Sequence, residues 1–136
     1  MRRIQIVFCV CMGLVAGLVL AQSESDFSGW MKQIAATRGQ LKGNLKSMDT
    51  NAAKANAKIL EDDFKQVEMF WSKRGNAADA VNFAKTANMA AANVMAAAAA
   101  GDWAKANSEL NTIGTTCGGC HMAHRGKSAD GKPMIK

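Results

Sequence analysis

The single proline of this 136-residue chain is Pro133, close to the C-terminus. Proline removes a backbone donor and clashes with the preceding turn, so a long stretch without it can carry uninterrupted helices. No run alternates apolar and polar residues in the manner of a strand. Apolar residues recur instead at helical steps, and Gly and Asn fall where helices would turn.

This pattern predicts four helices. The first spans Ser25 to Met48, with Phe27, Met31, Ile34, Leu41, Leu45 and Met48 on one stripe and Arg38 in the remaining place. An arginine there must meet an anion or reach solvent, because an unpaired buried charge is costly. Gly39 and Gly43, one turn apart, suggest a close approach to the backbone. The second helix spans Ala52 to Arg74, capped from Asp49, Thr50 or Asn51, and its expected buried face is Ile59, Leu60, Phe64, Val67, Phe70 and Trp71. Gly75 closes it and Asn76 is the expected cap of the third, Ala77 to Ala100. That helix is alanine-rich, with Val81, Phe83, Met89, Val94 and Met95 as its larger packing groups. Gly101 ends it, and Asp102 caps a fourth helix from Trp103 to Arg125.

On the fourth helix Trp103, Ala106, Leu110 and Ile113 share a face, and the next positions on it are Cys117, Cys120 or His121, and His124. Gly126 is expected to stop the helix, leaving Lys127 to Lys136 as a polar tail. Turns this short force neighbours to run antiparallel. The expected fold is all-α, an up-down-up-down antiparallel four-helix bundle.

The first residues stand apart from that domain. Met1-Arg2-Arg3 is a short positive start, and Ile4 to Leu20 is apolar apart from Gln5, Gly13 and Gly17. Ala21 then offers a small residue at the expected cleavage point. Residues 1–21 read as a secretory signal peptide, with 22–136 as the mature domain, periplasmic and without permanent membrane association. Neither Cys9 nor Cys11 has the context of a lipid attachment site.

Export changes the cysteine arithmetic. Of four cysteines, Cys9 and Cys11 leave with the signal, and Cys117 and Cys120 are left with no disulfide framework around them. The charge falls as well, from +6 to a mature +4 once Arg2 and Arg3 are gone. A modest surplus favours acidic protein partners. The basic residues are not interleaved with aromatics, which argues against nucleic acid.

Both mature thiols lie in Cys117-Gly118-Gly119-Cys120-His121. Two cysteines two residues apart with a histidine directly after form the attachment pattern of a c-type haem. Each thiol adds to one vinyl group, and the next residue can then present its imidazole to the iron. Competing readings of Cys-x-x-Cys fit less well. A structural zinc site wants four protein ligands, and only His124 is nearby. A thioredoxin-like motif expects a βαβ context. One haem c, attached to the last helix, is the expectation.

The longer run Cys117-x-x-Cys120-His121-x-x-His124-Arg125-x-Lys127 is similar to the C-terminal signature of the class II cytochromes c, the cytochrome c-prime group and its low-spin relatives. In that family the pattern closes the last helix of a four-helix bundle. His124 stands where the family usually has Phe or Tyr, and the link after the second helix is shorter than in many members. The resemblance implies His121 as proximal iron ligand, and Arg125 and Lys127 as basic residues near the haem propionates; Arg38, from its place on the first stripe, is a third candidate for that contact. Aligned on Gly39-x-x-x-Gly43-Asn44-Leu45, the resemblance also implies Met31 as the distal ligand. Periodicity independently places Met31 on the buried stripe.

The functional expectation is a monohaem periplasmic electron carrier meeting its redox partners transiently, with a homodimer left open. The alternative is a five-coordinate, cytochrome c-prime-like protein that binds NO or CO on the open face. No nucleophile, acid–base pair or substrate pocket is legible, so no enzymatic activity is expected.

Overall fold

A computed structural model describes residues 23–136, so the signal-peptide reading of residues 1–21 lies outside the described residues. Four helices form: α1 (Glu24–Ser47), α2 (Thr50–Arg74), α3 (Ala78–Ala99) and α4 (Trp103–His124). Their starts follow from side-chain caps. Ser23 and Asp26 make a reciprocal capping box at α1. Asp49 accepts from the Ala52 N–H at α2, and Asp102 from the Lys105 N–H at α4. The third helix differs from expectation. Ala77 occupies its cap position and no side chain closes it, so Asn76 does not cap. Gly75 ends α2 with a left-handed φ of 75°, as a C-terminal glycine should.

Each helix joins the next through two or three residues, so neighbours run antiparallel and the four close into an up-down-up-down bundle. The core mixes Ile34, Leu41, Leu45, Leu60, Phe64, Leu110 and Ile113 with a long series of alanines from α3. Those alanines let α3 pack closely against both α2 and α4, whereas α1 and α4 touch through few residues. The bundle is therefore tight on three seams and loose on the fourth.

Three stripe residues lie outside the core. Met48 is the left-handed cap residue of α1, with φ 56°, and its side chain turns to solvent. Ile59 and Met89 are exposed as well, because their neighbours Leu60 and Ala90 take the inward positions. Gly39 and Gly43 have open space where a Cβ would stand, so nothing approaches the backbone there.

The segment after α4 is not a polar tail. The helix ends at His124, Arg125 is already extended, and β1 (Arg125–Lys127) pairs antiparallel with β2 (Pro133–Ile135). Gly131, at φ 78°, supplies the left-handed residue of the intervening turn. The Lys136 N–H donates to the His124 carbonyl and draws the hairpin back onto the end of α4. Ile135 packs against the core. Pro133 is tolerated because it opens a short edge strand, where a missing N–H matters least. Among the described residues, no helix is long and apolar enough to cross a membrane.

Candidate cofactor cavity

The loose seam between α1 and α4 widens at one end of the bundle into a cavity of about 430 Å³, within the ~300–1,000 Å³ usual for small-molecule and cofactor sites. Its deep wall is apolar, formed by Ile34, Phe64, Val67, Ala84 and Ala87, and the hairpin residues Pro133, Met134 and Ile135 cover one side. Met31 and Arg38 line it from α1, Cys117, Cys120 and His121 from α4, and Arg125 from β1. These six residues, each singled out in the sequence, therefore surround one space, although α1 and α4 lie at opposite ends of the chain.

Cys117, Cys120 and His121 stand at i, i+3 and i+4 of α4, so helical geometry brings them to one face. The two thiols are half-buried and free, and His121 lies at the exposed rim. Burial pushes the Cys117 thiol up, with the Arg38 guanidinium opposing it. Burial, with smaller contributions from Cys117 and Asp79, pushes Cys120 up to about 11. Thiols of this kind stay protonated at neutral pH. The thiolate, the reactive form, is correspondingly the minor one in this pocket. His121 is shifted the other way: burial, then the neighbouring Arg125 charge, depresses its pKa. A neutral imidazole is the form that binds metal.

The local sequence serves this face. A Cβ on Gly119 would come within 2.8 Å of the Phe83 ring, so glycine there lets α3 close against the motif turn. At Gly114 a Cβ would meet the Arg38 guanidinium at 3.3 Å, which shows Arg38 lying across α4 one turn below Cys117. Arg38 is itself exposed, so its charge reaches water at the cavity rim rather than sitting in the core.

Several residues that the sequence placed on buried faces turn out to stand at or behind the cavity wall. Trp71 is 2% exposed, lines the cavity, and stacks near His124 at 4.8 Å between centroids. Its indole N–H has no hydrogen-bond partner. His124 Nε2 lies 2.8 Å from Asp79, tying the end of α4 to the start of α3. Phe27 stacks on Phe70 and meets the Trp71 edge, closing the outer wall. Nothing in the periodicity separates these aromatics from ordinary core. The hairpin did have a sequence signal, the Asp130-Gly131 pair ahead of Pro133.

No protein-family model, curated protein or solved structure matches the chain. The donor set must be judged by its own chemistry. Among the described residues, no group of three or more His, Cys, Asp and Glu side chains could hold a bare metal ion. Two thiols, one imidazole and one thioether around an apolar space suit a metal carried inside a large apolar ring. Arg38 and Arg125 at the rim suit acidic substituents on that ring. The residues fit a haem.

Proposed function

We propose that this chain is a monohaem c-type cytochrome that carries electrons in the periplasm. One observation supports the reading above the rest: Cys117, Cys120 and His121 from α4 and Met31 from α1 line the same apolar cavity. Cys117 and Cys120 would hold the haem through thioether bonds, and His121 and Met31 would supply donors to its iron. A haem so held supplies a one-electron Fe(III)/Fe(II) couple.

The chain's own residues do the rest. The apolar wall excludes water and lowers the local polarity, which helps set the reduction potential. Partial burial and the Arg125 charge lower the pKa of His121, which favours the neutral imidazole whose nitrogen lone pair can bind metal. Arg38 and Arg125 would compensate propionate charge at the rim. Redox partners would meet the protein transiently near that rim. The reading assigns no enzymatic activity.

The decisive test is spectroscopic. Haem staining after denaturation and a pyridine haemochrome spectrum should show one thioether-linked haem per chain, and its absence would end the proposal. Replacing Met31 with Ala should leave the haem attached and convert a low-spin spectrum to a high-spin one. A wild-type spectrum that is already five-coordinate and binds CO rapidly would instead favour the gas-binding alternative.

A further inference from the structure

Among the described residues, two buried side-chain polar atoms have no hydrogen-bond partner, Asp63 Oδ2 and Trp71 Nε1. They differ in place and in kind. Asp63 lies away from the cavity, and its carboxylate can take up a proton. Trp71 lines the cavity at 2% exposure, and its indole N–H can only donate. A buried tryptophan N–H ordinarily finds an acceptor, and one without a partner points to an acceptor that arrives from outside the chain.

The indole is held on several sides. Phe70 meets it edge-on at 5.5 Å and Phe27 at 5.7 Å between centroids, and the His124 ring lies at 4.8 Å. His124 is itself fixed, its Nε2 standing 2.8 Å from Asp79. The carboxylate of the cavity wall, Glu24, is engaged by Arg74 instead. Polar groups also bracket the cysteine motif along α4. Arg38 lies against Gly114 on one side of it and Trp71 against His124 on the other, with Arg125 the next residue.

We infer that the Trp71 indole N–H is a positioning donor for an acidic substituent of the group that fills this cavity. On the function proposed above, on which this identity rests, that substituent is a haem propionate. A hydrogen bond to a carboxylate favours its ionised form. A neutral donor achieves this inside an apolar wall without burying a second charge there, and Arg125 supplies charge from the rim. Because Phe27, Phe70 and the Asp79-tethered His124 already hold the ring, little freedom is lost when the bond forms.

The test uses the haem-loaded full chain. In the reduced protein, or in its CO adduct where the reduced iron is high-spin, NMR should show a nuclear Overhauser effect between the Trp71 indole proton and the propionate methylene protons. Trp71→Phe keeps an aromatic ring in the wall and removes the donor. Its haem should stay attached, and its resonance-Raman propionate bending band should move to lower frequency. Its reduction potential should fall, because a carboxylate deprived of a donor stabilises Fe(III). A role in packing alone would leave the propionate band in place. An unmoved band in the folded variant would overturn the inference and leave the haem reading intact. So would a wild-type spectrum without the Overhauser effect, a measurement that decides the matter even where the variant does not fold. A wild-type chain without thioether-linked haem would remove both.

Discussion

Asp63 is the only ionisable side chain buried among the described residues, at 8% exposed, and one of its carboxylate oxygens has no partner. Burial, with the adjacent Asp62 charge, raises its pKa above the ordinary 3.8. A raised carboxyl pKa means that the folded state holds its proton more tightly than the unfolded state does. Its relative stability is full below pH 3.8 and is lost as pH rises through the folded value. Asp63→Asn, which removes the buried charge though not the unpaired polar atom, should therefore stabilise the protein at neutral pH, by about 1 kcal/mol, the excess cost of a charged over a neutral unsatisfied group. The gain should vanish below the ordinary carboxyl pKa, as urea titrations at the two pH values would show. Met31 belongs to this scale too, since a single thioether separates the two proposed readings: on the electron-carrier reading its Ala variant should lose a low-spin spectrum and keep the haem. That Cys117, Cys120 and His121 share one cavity-facing side of α4 was legible, because the helical period alone fixes it. Trp71 was not. A tryptophan on a buried stripe reads the same whether it faces a cavity or plain core.

At the scale of elements, α4 depends on its glycines in opposite ways. Gly119 faces Phe83 at a distance no real Cβ tolerates, whereas Gly118 faces open space. Gly119→Ala should displace the Phe83 ring and cost roughly 1–3 kcal/mol of overpacking, only partly offset by the ~1 kcal/mol advantage of alanine in a helix. Gly118→Ala should keep that advantage. Thermal unfolding should thus lower the Tm of the first variant and hold or raise that of the second. The helices themselves were legible almost to the residue, because caps such as Asp49 and Asp102 and stops such as Gly75 are local chemistry. Outward-facing Ile59 and Met89 were less so, since a wide apolar stripe does not say which edge faces in. The hairpin was missed for a different reason. Three-residue strands carry too little alternation to register, and only the Asp130-Gly131 turn betrays them.

For the whole molecule, the bundle followed from helix count and short connections, while its polarity did not. Basic residues outnumber acidic ones only at the cavity end, a separation that exists once antiparallel packing brings the start of α1, the end of α2, the start of α3 and the hairpin to one pole. The loose α1–α4 seam has a consequence for how the protein opens. A helix held mainly by one neighbour can detach as a unit while the others stay folded, at a free energy below that of global unfolding. Without a ligand in the cavity, α1 is held chiefly by α2. Native-state hydrogen exchange should find its amides exchanging before those of α2 and α3, and equal protection across all four helices would contradict this. The helix that carries Met31 is then the hinged door of the bundle, and α2 is its post.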